Sequence, residues 1–239
     1  MSYHNNPRIV TNGLTLCLDA NAKRSYPGTG TTWFDLTANQ QNGSLSGVTF
    51  NSAGYFDFDG TDDVVGPSTF DYDDSGGAFT VCAWVNPDSL SNANSYSAII
   101  NRTDNSNHIF SLYMNKSAAS SNVGDMSAWI FDNGGTLRQH SASGNCILNV
   151  SEWNFCVWRW QDNFGFVFDL FNSDGQVTQT ASSSYVSRKD STSQYTIGRW
   201  RNGDFYLNGQ MGCVNLYNRK LSNTEVLQNY NALKSRFGL

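Results

Sequence analysis

The sequence predicts an all-β protein built as a two-sheet antiparallel sandwich, and three observations predict it. Apolar residues alternate with polar ones in several short runs, which is the period of a strand with one buried face. Asn-Gly and Asp-Gly pairs, which suit tight hairpin turns, stand between many of these runs. Hydrophobic residues make up 39% of the 239 residues and include 15 phenylalanines, enough to fill a core between two sheets.

The alternating runs locate the strands. They fall at Leu14/Leu16/Leu18, Phe56/Phe58, Phe79/Val81/Ala83/Val85, Phe110/Leu112/Met114 and Tyr195/Ile197. Two further runs, residues 153–160 and 164–171, are apolar on both faces. Because strands that are covered on both sides show this pattern, we expect these two in the middle of a sheet.

One segment, near the C-terminus, has a helical period. Its apolar residues recur at Val226, Tyr230, Leu233 and Phe237. Ser222 and Glu225 precede them at the spacing of a capping box, in which each side chain accepts a hydrogen bond from the other residue's backbone N–H. The sequence therefore predicts one C-terminal helix whose apolar face packs on the sandwich.

Charge and composition argue against several kinds of partner. The formal net charge is −5, from 15 basic and 20 acidic residues, so we expect no nucleic-acid partner. No apolar run reaches membrane-spanning length and the first residues lack the pattern of a secretory leader, so we expect no membrane insertion and synthesis in a cytoplasm. The cysteines show no C-x-x-C spacing, which favours buried free thiols; they are Cys17, Cys82, Cys146, Cys156 and Cys213.

Neither a linker nor a repeat divides the chain. The polar stretches at 88–96 and 116–124 show no change of composition beyond them and are interpreted as loops. We expect one sandwich domain over residues 9–239, preceded by a polar arm, residues 1–8, that docks on a neighbouring subunit or on a larger assembly.

Three segments carry a family resemblance: GLTLCLDANAKRSYPGTGTTWFDL near the start, YFDFDGTDDVV, and YNRKLSNTEVLQNYNALKSRFGL at the end. Together they resemble the LamG-like, concanavalin A-like lectin/glucanase superfamily, and the resemblance implies a jelly-roll form of the sandwich. The first and last segments are similar to domains of tailed-phage virion proteins. That similarity implies a virion surface protein, a capsid decoration, fibre or tail adhesion module, assembled in the host cytoplasm.

The resemblance also implies partners. Major capsid or tail proteins are expected, together with a symmetric homo-oligomer, for which we favour a trimer. The alternative function is a carbohydrate-binding lectin module that recognises a host-surface polysaccharide. A third hypothesis, an atypical glycoside hydrolase with Asp in place of Glu, stays open because Asp pairs are plentiful.

We expect no enzyme activity. Glycoside hydrolysis needs two carboxyl groups flanking the bond, and glucanase relatives supply them from an E-x-D-x-x-E strand. This chain has two glutamates, Glu152 and Glu225, and no such strand. No G-x-S-x-G motif is present, and the histidines, at positions 4, 108 and 140, have no neighbouring pattern that indicates a catalytic base.

Two acidic clusters suggest a metal site. In DFDGTDD, the carboxylates of Asp59, Asp62 and Asp63 are of the type that calcium prefers, and the resemblance implies such a site, but a solvated strand face explains the same pattern. The second cluster, DYDDSGG at 71–77, matches the opening of a calcium loop. It is not an EF-hand, because Cys82 occupies the twelfth position where a glutamate is required.

One segment suggests a glycan site. Sugar binding needs aromatic faces beside polar groups that bond hydroxyls, and a predicted turn offers Arg199, Trp200, Arg201 and Asn202. The alternative is a hairpin tip whose aromatic side chain packs across strands. Trp33, after the glycine-rich loop SYPGTGT, is interpreted as a core residue that anchors that loop.

Overall fold

A computed structural model of the chain describes residues 7–70, 77–90, 96–103, 108–115, 123–187, 193–200 and 205–239. Within these ranges, eight strands form each of two antiparallel sheets, which pack face to face as a jelly-roll sandwich. The predicted all-β sandwich with one C-terminal helix is confirmed.

The first sheet contains β1 (Leu14–Asp19), β4 (Thr49–Asn51), β5 (Tyr55–Asp59), β7 (Ala78–Pro87), β12 (Asn154–Gln161), β13 (Gly165–Asn172), β14 (Gly175–Ser182) and β16 (Asn208–Tyr217). Its order is β14-β13-β12-β7-β16-β5-β4, and β1 also pairs with β16. The strands β12 and β13 therefore lie inside the sheet, as predicted.

The second sheet contains β2 (Thr32–Trp33), β3 (Gly43–Ser46), β6 (Val64–Phe70), β8 (Tyr96–Thr103), β9 (His108–Asn115), β10 (Met126–Phe131), β11 (Leu137–Ser141) and β15 (Ser193–Ile197). Its order is β11-β10-β9-β8-β15-β6-β3-β2.

The core lies between the two sheets and is filled by the inward positions of the predicted alternating runs. Phe79 of the first sheet stacks on Phe110 of the second, with ring centroids 4.7 Å apart. Trp33 is fully buried against Phe56 at 4.9 Å, which confirms its interpretation as a core anchor. Burial of each such side chain contributes roughly 1.5–3 kcal/mol to folding.

The other face of the first sheet is covered by the C-terminal helix α1 (Asn223–Leu233) and a 3-10 helix (Lys234–Phe237). Phe237 stacks on Trp84 of β7 at 4.2 Å, and Tyr230 stacks on Phe171 of β13 at 4.5 Å. This second apolar layer explains why β12 and β13 are apolar on both faces.

The start of α1 is as predicted and its end is not. Ser222 and Glu225 form the capping box, and Arg219 binds the Glu225 carboxylate with both terminal nitrogens. The predicted helix extended to Phe237, but α1 ends at Leu233 and Phe237 belongs to the 3-10 helix. Its tighter turn accompanies the packing of Phe237 between Trp84 and Trp153.

All five cysteines are free and buried, in agreement with the prediction. Burial raises the pKa of the Cys17 and Cys146 thiols to about 12. Because the thiolate is the reactive form, these side chains behave as small apolar core residues.

The described N-terminal residues dock on the chain's own helix. Gln228 of α1 donates to the Arg8 carbonyl at 2.7 Å, and Asn229 accepts from the Val10 backbone N–H at 2.8 Å. Arg8, predicted to belong to an arm that docks on a neighbouring subunit or on a larger assembly, is thus held by its own chain, and residues 1–6 lie outside the described residues. Among the described residues, no helix combines the length and apolar character needed to cross a membrane.

Candidate binding face on the second sheet

The second sheet has an outward surface that is both aromatic and polar. Strand register places Tyr113 of β9 opposite Ser127 of β10, and Ser111 opposite Trp129. These residues alternate with core residues such as Leu112, so they point away from the core. We call this surface the outer face and define it by Tyr96, Tyr113, Asn115, Asp125, Ser127 and Trp129.

Five aromatic rings form one cluster on the outer face. Trp129 contacts Tyr113 at 5.1 Å, Tyr96 at 5.5 Å and Trp200 at 4.3 Å between ring centroids, each with the planes close to perpendicular. Phe205 closes the cluster against Tyr96 at 5.2 Å and against Trp200 at 5.6 Å. Edge-to-face contacts of this kind fix the rings relative to one another. Trp129 keeps part of its surface exposed.

A glycine directs Trp200 onto this cluster. Gly198 follows β15 with φ +78°, a left-handed conformation, and a Cβ atom there would lie 2.3 Å from the Phe58 ring. The Gly198 N–H donates to the Ile99 carbonyl at 3.1 Å, and its carbonyl accepts from the Leu207 N–H at 2.8 Å. Only glycine both adopts the left-handed backbone conformation and leaves room for the Phe58 ring. The chain can therefore turn sharply at Gly198 from the core to the outer face.

Several buried polar atoms of the outer face have no hydrogen-bond partner among the described residues. They are Tyr113 Oη, Asn115 Oδ1, Asp125 Oδ1, Ser127 Oγ and Trp129 Nε1. The Tyr113 hydroxyl lies near the Ser127, Trp129 and Gln139 side chains, yet no pair reaches hydrogen-bond geometry. An unsatisfied buried polar group costs about 1–3 kcal/mol, so these five atoms are an unfavourable feature of the face as far as the described residues show.

Asp125 is the acidic member of the outer face and is fully buried. Its Oδ2 accepts hydrogen bonds from Ser141 Oγ and from the Gly144 N–H, the latter at 3.0 Å. Burial raises the pKa of the Asp125 carboxyl, and these hydrogen bonds act in the opposite direction.

A line of hydrogen bonds positions Arg199 beside the face. Ser111 Oγ donates to Asn101 Oδ1, Asn101 Nδ2 donates to Thr196 Oγ1 at 3.5 Å, and Thr196 Oγ1 donates to the Arg199 carbonyl at 3.0 Å. The Nε of Arg199 is buried without a partner among the described residues. This line connects β9, β8 and β15 through outward side chains.

The predicted glycan-binding turn is only partly described. Trp200 is 7% exposed and packs against Trp129, which agrees with the alternative of an aromatic side chain packed across strands. Arg199 adjoins it, whereas Arg201 and Asn202 lie outside the described residues. Sequence reasoning missed Trp129 and Tyr113, although both are large aromatic residues at positions that the alternation assigns to the outer surface.

The structure brings together the three carboxylates predicted for calcium, at the turn between β5 and β6. Ligand atoms of Asp59, Asp62 and Asp63 lie within 4.8 Å of one another. Asp63 accepts from the Asp59 N–H at 2.8 Å, and Asp59 accepts from the Thr61 N–H at 2.7 Å. Burial, and then the charges of Asp59 and Asp62, raise the pKa of the Asp63 carboxyl. The donor set suits a hard cation, while two of the carboxylates also stabilise the turn.

Both glutamates have structural contacts. Arg219 and Ser222 lower the pKa of Glu225 to about 2, so it stays ionised as a helix cap. Glu152 is exposed and accepts hydrogen bonds from Ser173 Oγ at 2.5 Å and Asn149 Nδ2 at 3.2 Å. His140 packs on Phe166 at the core edge, and burial lowers the pKa of its ring. The second acidic cluster, at 71–76, lies outside the described residues.

The two packed antiparallel sheets and the C-terminal helix that covers the first of them define a β-sandwich domain of the jelly-roll class. The chain belongs to the concanavalin A-like lectin/glucanases superfamily, whose sequence profile matches residues 58–227. A comparison with curated proteins finds no match.

Solved structures share the fold at low sequence identity. The Trypanosoma rangeli sialidase in complex with the inhibitor DANA superposes with a TM-score of 0.64 and 15% identity, over 97% of this chain and 34% of that one. The complex of the same sialidase with sialic acid superposes with a TM-score of 0.61 and 15% identity, over 95% of this chain and 34% of the sialidase chain. The binding domain of botulinum neurotoxin serotype D superposes with a TM-score of 0.59 and 16% identity, over 93% of this chain and 52% of the toxin domain. The chain thus spans about a third of the sialidase and about half of the toxin domain.

Proposed function

We propose that this chain is a non-catalytic, lectin-like domain that binds carbohydrate on the outer face of the second sheet. The observation that carries the proposal is the aromatic cluster around Trp129 on that face, because Trp129 keeps part of its surface exposed while its neighbours fix its orientation.

Sugars match such a surface for a physical reason. Their rings present C–H groups that pack on aromatic side chains, and their hydroxyls both donate and accept hydrogen bonds. The outer face offers the partly exposed ring of Trp129, held by strand register rather than by a loop. A preorganised surface of this kind loses little conformational entropy on binding.

The contacts of the glutamates support binding without turnover. A glycosidase acid must hold its proton near neutral pH, whereas the pKa of Glu225 is about 2. Glu152 is exposed and hydrogen-bonded at the turn before β12. The chain covers 34% of the sialidase that shares its fold, so the activity of that enzyme is not inferred for this chain.

A glycan array tests this function, with three purified proteins compared at equal concentration. The wild-type chain is expected to bind a subset of glycans, and Trp129→Ala to reduce that binding at least tenfold, which is about 1.4 kcal/mol. Phe164→Ala is the matched control, because Phe164 is a 43% exposed aromatic residue on the β12–β13 turn of the first sheet. Equal loss in both variants, or no glycan bound by the wild type, would contradict the proposal.

We place this domain on a virion surface, as a capsid decoration, fibre or tail adhesion module bound to capsid or tail proteins as a homo-oligomer. The support is the resemblance of the terminal segments to tailed-phage virion proteins. Gold-labelled antibodies against the purified domain should decorate phage particles, and light scattering should give three times the monomer mass of 26.5 kDa.

For the acidic turn, we propose that Asp59, Asp62 and Asp63 hold one calcium ion. The support is the close approach of their ligand atoms and the repulsion between carboxylates, which a cation relieves. The ion would stabilise the β5–β6 turn.

A further inference from the structure

The chain contains five Asn-Gly pairs, a combination that is chemically labile. The backbone nitrogen of the residue after an asparagine can attack the side-chain amide carbon, and a glycine obstructs this attack least because it has no side chain. The pairs begin at Asn12, Asn42, Asn133, Asn202 and Asn208. The pair at Asn202 lies outside the described residues, and backbone contacts distinguish the other four.

The attack has three structural requirements. The side-chain amide must be free to move, the peptide after the asparagine must rotate about ψ to bring its nitrogen to the amide carbon, and water must reach the pair. Because the peptide unit is planar, the asparagine carbonyl turns together with that nitrogen. A hydrogen bond to the carbonyl therefore opposes the rotation.

Two of the pairs are held in the folded chain. Asn42 Oδ1 accepts from the Asp35 N–H at 2.9 Å, which fixes the amide itself. The Asn208 carbonyl accepts from the Asp88 N–H at 3.1 Å, which fixes the peptide. The glycine after each of these asparagines is buried, so neither pair meets the three requirements.

The pair at Asn12 has an exposed asparagine but a fixed peptide. The Asn12 carbonyl accepts from Arg219 Nε at 2.9 Å, and the Gly13 carbonyl accepts from the Asn218 N–H at 2.8 Å. These contacts join the turn before β1 to the segment after β16. Rotation about ψ of Asn12 would break the bond from Arg219, so this pair fails the second requirement.

Asn133 lies in the turn between β10 and β11 and meets all three requirements. Asn133, Gly134 and Gly135 are exposed. Neither the side-chain amide nor the carbonyl of Asn133 has a hydrogen-bond partner among the described residues, and its N–H, which donates to the Val186 carbonyl at 2.8 Å, leaves ψ free. The contacts that rotation would break, from the Gly134 and Gly135 N–H groups to Asp132, lie within the turn itself.

We propose that Asn133 is a site of spontaneous deamidation, to which the fold directs the reaction among the four described pairs. The Gly134 nitrogen loses its proton to hydroxide and bonds to Asn133 Cγ, the Cγ–Nδ2 bond breaks, and the amide nitrogen takes a proton from water and leaves as ammonia. Water then opens the five-membered ring at either of its carbonyl carbons, which gives aspartate or isoaspartate at position 133. The net reaction consumes one water molecule and releases one ammonia molecule, with no oxidation or reduction.

Isoaspartate is the product with the larger structural effect. It lengthens the backbone of the turn by one atom, which displaces the Asn133 N–H from the Val186 carbonyl and the Gly135 N–H from the Asp132 carbonyl, each now at 2.8 Å. Because β10 ends at this turn, the conversion is expected to lower the melting temperature of the chain.

Peptide mapping by mass spectrometry tests the site on the full chain, incubated at mildly alkaline pH either folded or in concentrated guanidinium chloride. The mass gain of each asparagine-containing peptide measures the conversion of amide to carboxylate. In the folded chain, Asn133 is expected to convert at least tenfold faster than the other three described asparagines of Asn-Gly pairs. In denaturant the four rates are expected to agree within threefold, because the contacts that hold the slower pairs are lost.

The variant Gly134→Ala adds a methyl group beside the attacking nitrogen and is expected to slow conversion of Asn133 at least fivefold. Gly135→Ala is the matched control, because it adds the same group one residue further on, where a Cβ atom meets nothing within 4 Å. Its rate at Asn133 is expected to stay within twofold of the wild type.

Equal rates at Asn133 and Asn12 in the folded chain would overturn the inference, as would the same preference for Asn133 in folded and denatured chains. An unchanged rate in a folded Gly134→Ala variant would also overturn it, because the attack by the Gly134 nitrogen would then be excluded. If this variant does not fold, the comparison of the four rates in the wild type decides the outcome alone. The mapping requires no ligand, so its result is independent of the proposed carbohydrate function.

Discussion

Trp129 of β10 and Trp200, which follows β15, meet edge to face, with ring centroids 4.3 Å apart and ring planes at 82°. The contact crosses β9 and β8, which lie between β10 and β15 in the second sheet. It therefore joins a strand side chain to the segment after β15, and it builds one wall of the outer face. A contact of this kind contributes about 0.5–1.5 kcal/mol beyond the area it buries.

Replacing Gly198 by alanine should destabilise the fold by about 3 kcal/mol. The left-handed backbone costs an alanine about 1 kcal/mol, and its methyl group would overlap the Phe58 ring. Urea unfolding measures the change. Gly135→Ala is the matched control, because Gly135 has φ +77° with open space around it, and it should lose only about 1 kcal/mol. Equal losses would show that the contact with Phe58 is unimportant.

Asp125→Asn should raise the free energy of unfolding at pH 7. Burial raises the pKa of Asp125, so the folded chain holds this proton more tightly than the unfolded chain does. Stability from this group is present at low pH and is lost as the pH rises through the folded-state pKa. The gain from the asparagine should therefore shrink toward a pH of about 4.

Asp132→Asn, in contrast, should lower the free energy of unfolding at pH 7. The Thr136 N–H and the Arg138 guanidinium hold the pKa of Asp132 below its ordinary value. Its stabilising contribution is present above the unfolded-state pKa and is lost as the pH falls through the folded-state pKa. Urea unfolding from pH 3 to pH 7 should show a loss for this variant that is largest at pH 7. A change in the free energy of unfolding at pH 7 with the same sign in Asp125→Asn and Asp132→Asn would contradict the opposite pKa shifts of the two carboxyls.

Removing one partner of the ion pair between Arg159 and Asp169 should cost more free energy of unfolding than replacing both partners. Both side chains are almost fully buried, Nε and Oδ2 are 2.8 Å apart, and Arg159 also donates to the Leu221 carbonyl ahead of α1. Asp169→Leu alone should cost about 3–5 kcal/mol, because it leaves a buried charge without its partner. Adding Arg159→Met should restore much of that loss in urea unfolding. Additive losses would contradict the pairing.

Calcium should raise the melting temperature of the wild-type chain. Asp62→Asn should reduce that shift by more than half, since it removes one of three clustered carboxylates. Asp174→Asn, an exposed acid at another turn, should leave the shift unchanged. No shift in the wild type would contradict a calcium site at the β5–β6 turn.

The sandwich and its core were predictable because alternation assigns each side chain to a face without knowledge of strand pairing. Leu16, Phe58 and Val81 illustrate this, since each is buried where the period placed it. The capping box was predictable for a similar reason, because Ser222 and Glu225 interact over three residues.

The outer face was not predictable in the same way. Trp129, Tyr113 and Trp200 come from three separated segments, and the pairing of β8 with β9 and β15 decides that they meet. A periodic pattern contains no information about which strands are neighbours. Arg199 and Trp200 were selected for their residue types, and the turn at Gly198 then places Trp200 against Trp129.

The most direct test of the central claim is the tryptophan indole N–H region of the protein's NMR spectrum during titration with the neutral glycan that binds best. The chain has seven tryptophans, and five of them lie outside the outer face cluster. Binding on the outer face predicts that the Trp129 signal shifts most, followed by Trp200, while buried Trp33 and Trp158 stay unchanged. A shift confined to Trp153, beside the C-terminal 3-10 helix, would contradict the account.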